Sequence, residues 1–439
     1  MLQTNLPVLL RRVALAGAAL TLMAACAAEP LQRSLETTAQ PTPAASPTPP
    51  SAPGLPAATQ QSFDQWRDGF RVEALAAGIL PQVFDQAFAG VTPDSSVIEA
   101  DRSQPEFARP VWEYLDSALS SQRVGNGQRL LRQHAHTLDR IERRYGVERH
   151  ALVAIWGLES NFGQIMGNKS VIRSLATLAH EGRRPEFARS QLLAALRILQ
   201  DGDIGPERMR GSWAGAMGQT QFIPTTYQDY AVDFDGNGRR DIWGSEADAL
   251  ASAAHYLQRS GWQSGQPWGF EVRVPSGFDY ALADPSIRKP LDEWRQLGLT
   301  GIPAMDGETS AGMLLPAGHR GPAFLVLNNF RTILRYNNSS SYALAISLLA
   351  ERMQGGGEIA GSWPKGERPL SRSERIELQE RLTRQGFELG AADSIIGANT
   401  RKAIRDYQRR LGWPADGYPT HQLLERLRQE PLAEQSARL

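Results

Sequence analysis

One acidic residue sits inside an apolar run. In residues 151–163, ALVAIWGLESNFG, the positions Leu152, Ile155, Trp156 and Glu159 recur at i, i+3, i+4 and i+7, which places all four on one helical face. A carboxylate on an apolar stripe is expensive unless it is paired. The less costly state is a carboxyl whose pKa is raised toward neutrality, as a general acid requires. The alternative is a half-buried Glu satisfied by an arginine or a backbone amide, and the pattern does not separate the two.

A second stretch starts at Gly211 and reads GSWAGAMGQTQFIPTTYQDYAVDFDGNGRRDIWG. Small residues crowd its first part, with Gln219 and Gln221 among them. Such a segment lets a bulky ligand approach the backbone. Amides and aromatics suit a sugar polymer, because hydroxyls need neutral partners and pyranose rings need flat apolar surfaces. Tight helix packing would use the same small residues. Within this stretch Asp233, Asp235, Asn237 and Asp241 fall at positions 1, 3, 5 and 9 of a calcium-loop pattern, with Gly238 at position 6. Position 12 is Gly244 rather than Glu, so Glu246 or Asp248 would have to close a longer loop. A metal-free Asp/Asn/Gly turn is the competing reading. No other constellation competes. The seven His show no zinc spacing, and there is no P-loop, dinucleotide fingerprint or nucleophile elbow.

The elements that must position these residues are mostly helical. Residues 63–90 have a helical period broken at Gly78 and Pro81. Further helices are expected over residues 107–120, 128–145, 171–179, 185–200, 245–260 and 340–353. Between residues 269 and 330 short β-like runs, FEVRV and AFLVL, lie among Gly and Pro. The fold class is mainly α (α+β), a helical body with a small mixed subdomain. Residues 355–369 read as a Gly-rich linker, and residues 370–430 as a compact three-helix unit near the lower size limit for independent folding. The body spans residues 61–354.

The composition permits a sizeable core, with 41 % apolar and 21 % charged residues over 439 positions. Lys plus Arg equals Asp plus Glu at 47 each, which gives no global argument for nucleic acid or anionic membrane as a partner. Arg11 and Arg12 precede an apolar run ending in Met23-Ala-Ala-Cys26, and Cys26 is the single cysteine. Residues 1–26 therefore resemble a lipoprotein-type signal peptide with Cys26 as the lipidated residue, and plain cleavage near Ala28 is the alternative. Ala27 after the cysteine points to the outer membrane. Residues 27–60 are Pro/Ala/Ser-rich and read as a disordered tether.

Together IWGLESNFG, GSWAGAMGQTQFIPTTYQDYAVDFDGNG and NFRTILRYNNSSSYALA resemble the membrane-bound lytic murein transglycosylase B family, over residues 63–352. The resemblance implies a lysozyme-like catalytic domain with a deep glycan groove. It implies Glu159 as the catalytic acid/base, with Ser212 and Gln221 as polar groove residues. Tyr114, Tyr256, Tyr336, Asn337 and Tyr342 would line sugar subsites, and Arg183 and Arg184 would face the glycan and its acidic peptide stem. Asp233, Asp235, Asn237, the Arg239 carbonyl and Asp248 would hold a structural calcium ion, although one extra residue lies between Trp243 and Asp248 relative to the family's pattern. No cofactor is required for the implied chemistry. The tail, with LQERLTRQGF, Asp393, IIGANTRKAIRDYQRRLGWPADG and LLERL, resembles a small peptidoglycan-binding domain. A merely stabilising appendage is the other reading.

The implied activity is cleavage of the β-1,4 bond between N-acetylmuramic acid and N-acetylglucosamine without water, leaving 1,6-anhydromuramic acid ends. The partners would be peptidoglycan strands, the outer membrane through the lipid, and wall-synthesis proteins. The place would be the bacterial periplasm. Two rivals stay open: a hydrolytic muramidase, which needs a second carboxylate across the bond, and a non-catalytic wall-binding scaffold.

Overall fold

The computed structural model describes residues 62–103 and 109–430. The signal-type segment, Cys26 and the 27–60 tether lie outside the described residues. In chain order the elements are α1 (Phe63–Ala76), α2 (Pro81–Ala87), α3 (Ser95–Ser103), α4 (Val111–Ala118), α5 (Ser121–Gln133), α6 (Ala135–Tyr145), α7 (Arg149–Ser160), β1 (Lys169–Ser170), α8 (Val171–Glu181), α9 (Pro185–Asp201), β2 (Arg210–Gly211), α10 (Pro224–Tyr230) and α11 (Glu246–Arg259). They continue with β3 (Gly269–Val272), β4 (Arg288–Pro290), α12 (Leu291–Gln296), β5 (Ser310–Leu314), β6 (Ala323–Val326), α13 (Asn328–Tyr336), α14 (Ser340–Met353), α15 (Arg372–Arg384), α16 (Ala398–Arg410) and α17 (His421–Gln429). The chain is mainly helical, as its periodicity implies.

Local chemistry sets most boundaries. Ser62 and Gln65 form a reciprocal capping box at the start of α1. Pro81 and Pro185 begin α2 and α9, where the missing N–H has no helical partner to lose. Pro110 holds the entry to α4, so the helix starts later than residue 107. The run 128–145 is two helices rather than one. His134 ends α5 and begins α6 with ψ of 18°. The break lets α5 pack on α7 and α14 while α6 packs on α11, which one straight rod would not do.

Two helices are buried almost all round and pack on each other: α7, with residues 151–157 all buried, and α14, buried from Tyr342 to Ala350. This corrects the amphipathic reading of 151–163. The helix has no polar face along its middle. Partial exposure is confined to its ends, at Arg149 and His150 in the first turn and at Leu158 and Glu159 in the last. Around this pair lies one core with Leu152, Ile155, Phe330 and Leu344. A second core joins α1, α2 and α8–α10.

The mixed subdomain is an antiparallel sheet in the order β3-β6-β5-β4. Central strand β6 alternates between two cores: Phe324 and Val326 enter the helical body, while Ala323 and Leu325 face the smaller core around Trp294. Leu378, Leu382, Ile404, Tyr407, Leu423, Leu424 and Leu427 form a separate core within α15–α17. That helical unit touches the mixed subdomain through Arg405–Asp284 at 2.7 Å and His319–Asp416 at 2.6 Å. No described helix is long and apolar enough to cross a membrane.

Gly157 is the tightest point in α7. A Cβ there would lie 2.8 Å from the ring of Phe162, which folds back over the helix end. Gly→Ala in a helix ordinarily gains about 1 kcal/mol. Here Gly157→Ala is expected to destabilise the protein by about 1–3 kcal/mol, the usual range for overpacking, read as a lower urea midpoint. A raised midpoint would show that Phe162 yields freely.

Candidate active site

The end of α7 is held in a strained corner. Asn161 and Phe162 have φ of +48° and +59°, and Gly163 follows in the same region. Side chains other than Gly rarely occupy it. The corner is latched to the Gly211 segment. Ser160 Oγ accepts from the Gly163 amide at 2.9 Å and donates to the Gln219 carbonyl at 2.8 Å. Trp156 Nε1 donates to Gln219 Oε1 at 2.8 Å. Strand pairing of β1 with β2 brings Lys169 opposite Gly211. Gly167, at φ +87°, permits this close approach, since a Cβ there would lie 2.2 Å from the Gly211 carbonyl oxygen.

Glu159 projects from this corner, half-buried. Tyr342, in the first turn of α14, donates its hydroxyl to Glu159 Oε1 at 2.5 Å. Burial pushes the Glu159 carboxyl up to about 7, and the Tyr342 hydrogen bond to its charged form opposes that rise. Among the described residues no arginine, backbone amide or second acidic side chain bears on it. The alternative of a Glu neutralised by a structural partner is therefore not what the structure shows.

Tyrosines surround this carboxyl. Tyr114 on α4 is raised to about 12 by burial and then by the Glu159 charge. Tyr336, at the end of α13, is raised for the same two reasons, as is Tyr342. Tyr336 donates to the Thr220 carbonyl at 2.7 Å and packs against Tyr256, ring centroids 5.1 Å apart. Tyr256 donates to the Arg335 carbonyl at 2.5 Å. The result is one titrating acid in a neutral aromatic wall. Asn337 is exposed at the C-cap of α13.

The remaining polar residues sort into scaffolding and separate sites. Ser212 Oγ accepts from the Ala214 and Ala216 amides at 3.3 and 3.0 Å. Gln221, at φ +51°, donates to the carbonyls of Met166 and Gly218 at 3.1 and 2.9 Å. Both brace the segment beside α7. Gln219, which the sequence suggested for sugar contact, is instead 4 % exposed and is a strut between Trp156 and the Trp243 carbonyl. Arg183 and Arg184 are exposed in the corner between α8 and α9 and contact neither Glu159 nor the tyrosines. Arg183 is paired with Asp101 at 3.2 Å, and Arg184 lies over the Phe187 ring at 5.1 Å. Thr220 and Phe222 went unnoticed in the sequence. Their positions beside Gln221 in the small-residue segment were the available signal.

The Asp233 loop has the donor set a hard cation needs. Carboxylate oxygens of Asp233, Asp235 and Asp248 lie within 4.8 Å of one another. Asp248, in the first turn of α11, takes the closing role that Gly244 cannot. Its Oδ1 accepts from the Phe234 and Asp235 amides and its Oδ2 from the Asp241 amide. Asn237 Oδ1 accepts from the Arg239 amide at 3.0 Å. Burial raises the Asp248 carboxyl, and Asp235 adds to the rise. A divalent cation would relieve that repulsion.

Comparison with known proteins adds a family. Residues 62–351 match the model described as Transglycosylase SLT domain, and residues 371–427 match Putative peptidoglycan binding domain. The chain is 32 % identical over 245 residues to membrane-bound lytic murein transglycosylase B of Escherichia coli (strain K12), a match covering 54 % of this chain and 66 % of that protein, just under two thirds of its length. It is 65 % identical to SltB3 from Pseudomonas aeruginosa, solved in complex with NAG-anhNAM-pentapeptide, with a TM-score of 0.82 over 84 % of this chain and 100 % of that one. Escherichia coli Slt35, solved in complex with calcium, is 28 % identical with a TM-score of 0.57 over 66 % of this chain and 92 % of that one.

The raised Glu159 pKa links the fold to pH. The folded value, about 7, lies above the ordinary 4.5, so this group's stabilising contribution is present below pH 4.5 and is lost as pH rises through 7. Glu159→Gln removes the penalty of a buried charge. Its melting temperature should exceed that of the parent by on the order of several °C at pH 8, with the gap closing toward pH 5. A pH-independent gap in differential scanning calorimetry would contradict the assignment.

Proposed function

Because the chain belongs to the Transglycosylase SLT domain family, we propose that it acts as a lytic transglycosylase on peptidoglycan, cutting the bond from N-acetylmuramic acid to N-acetylglucosamine and leaving a 1,6-anhydromuramic end. The observation that carries this reading is a protonatable carboxyl, Glu159, enclosed by neutral tyrosines with no second acid facing it among the described residues. Hydrolysis by two carboxylates has no pair to work with among the described residues.

Protonated Glu159 donates to the glycosidic oxygen as its bond to muramic acid C1 breaks. Positive charge grows at C1, where the 2-acetamido oxygen traps it. The Glu159 carboxylate, held by the Tyr342 hydroxyl, then takes the proton from the C6 hydroxyl of the same sugar. O6 closes on C1, displacing the acetamido oxygen and restoring the neutral acetamide, and no water is consumed. A pKa of about 7 serves both transfers, since neither the acid nor the base form is scarce near neutrality. Tyr114, Tyr256, Tyr336 and Tyr342 supply the ring-stacking and hydrogen-bonding wall, with Ser212, Gln221 and Asn337 beside it. Arg183 and Arg184 lie where an acidic stem would meet them only along the α8–α9 corner.

The other assignments follow the same reading. Residues 61–354 form the catalytic domain and residues 370–430 a peptidoglycan-binding unit that keeps the enzyme on its polymer, raising effective concentration. Asp233, Asp235, Asn237, the Arg239 carbonyl and Asp248 would hold calcium, which supplies rigidity rather than chemistry. Cys26 would carry a lipid that tethers the protein to the outer membrane in the periplasm, through residues 27–60. The E. coli relative is itself called membrane-bound.

Mass spectrometry of digested cell wall tests the activity. Products should be one water lighter than hydrolysis products, and Glu159→Gln should slow their release by on the order of 10²–10⁴-fold. Water-containing ends, or undiminished release by the variant, would refute the reading. For the loop, chelation should lower the melting temperature, calcium should restore it, and Asp235→Asn should abolish the response. An equal response in parent and variant would place calcium elsewhere.

A further inference from the structure

A cleft of about 370 Å³ opens where the mixed subdomain meets the helical body. Its volume falls within the range of ligand pockets. Arg288 from β4 and Ser310 from β5 form one wall. Gln263 and Gln266 from the α11–β3 connection, with Asn328 and Arg331 from the start of α13, form the other.

Among the described residues no carboxylate lines this cleft between the two arginines. Arg288 is half-buried and pinned in place: its Nε donates to Ser310 Oγ at 3.1 Å, its Nη2 to the Ser310 carbonyl and its Nη1 to the Val326 carbonyl at 3.5 Å. Burial and then the charge of Arg331 push its pKa down, and no acidic side chain opposes them. Arg331 is exposed and makes no ion pair among the described residues. Two guanidiniums facing one cleft without a counter-charge repel each other, and an oxyanion between them would remove that repulsion and accept hydrogen bonds from both. The basic pair suggested by the sequence differs in this respect, since Arg183 is already neutralised by Asp101.

Helix α13 connects this cleft to the site of Glu159. Arg331 lies in its first half, and its last residue is Tyr336. The helix spans roughly 12 Å at 1.5 Å per residue. An extended peptide of four or five residues covers roughly 13–18 Å. A stem peptide leaving the muramic acid beside Tyr336 is therefore long enough for its terminal carboxylates to reach the arginines.

The geometry points to the Arg288–Arg331 cleft as a docking site for the carboxylates of the stem peptide on the glycan strand, a recognition site separate from the bond that is cut. This rests on the transglycosylase reading above.

The test uses the full chain and three substrates: strands with stem peptides bearing free carboxylates, the same strands with those carboxylates amidated, and strands stripped of peptide. Arg331→Gln should raise KM about tenfold on the first, in line with losing a charge-assisted pair, while kcat stays unchanged. It should leave KM on the other two as in the parent, and Arg331→Lys should restore part of the loss. Calorimetric binding to Glu159→Gln protein, alone and combined with Arg331→Gln, reads the same contrast without cleavage, so a failure of the cleavage reading is told apart from a failure of the cleft. An equal effect of Arg331→Gln on all three strands, no effect on any, or inorganic phosphate binding the cleft with no preference among strands would overturn the proposal.

Discussion

The structure depends on keeping one carboxyl dry enough to hold its proton while leaving it open to a polymer. Two helices that are buried nearly all round achieve this. Glu159 is the next-to-last residue of α7, and Tyr342 lies in the first turn of α14. Their hydrogen bond, 2.5 Å long, joins the ends of two largely buried helices of the body. Burial raises the carboxyl toward neutrality. The negative end of the α7 dipole acts in the same direction, because a carboxylate at a helix C-terminus is disfavoured. Tyr342 works against both and keeps the ionised form accessible, which a group that must give and then take a proton requires.

The rest of the site can be understood as support for that balance. The strained corner at Asn161 and Phe162 turns the chain sharply away from Glu159, so the helix stops with the carboxyl at its rim. Gln219, Ser160 and Trp156 tie that corner to the Gly211 segment. Tyr336 ties the same segment to α13, and α13 reaches back to the arginine cleft. One glycan and its peptide would thus meet groups fixed on a connected scaffold rather than on independent loops.

Much of this was legible in residues 151–163 and 211–244. Glu159 stood out because a charge in an apolar run is rare, and the helices at 185–200, 245–260 and 340–353 announced themselves by period and by Pro, Ser or Gly at their ends. The face argument was less successful. It assumed that α7 had one apolar side, whereas α14, nearly two hundred residues later, covers the other; no local pattern carries that contact. The break at His134 escaped for the same reason, since the two halves serve different neighbours. Gln219 and Gln221 look alike in sequence, and only the tertiary position of Trp156 makes the first a buried strut. Arg183 looked available because its partner, Asp101, is eighty-two positions upstream. The aspartate that closes the 233–248 loop comes from the next helix, beyond the twelve-residue spacing.

The most direct measurement of the central claim is the titration of the Glu159 carboxyl itself, followed by carbon NMR in glutamate-labelled protein and assigned by the signal that Glu159→Gln removes. The account predicts a midpoint near 7 that moves higher in Tyr342→Phe, because that hydroxyl stabilises the ionised form. A midpoint near the ordinary 4.5 that ignores Tyr342 would contradict it.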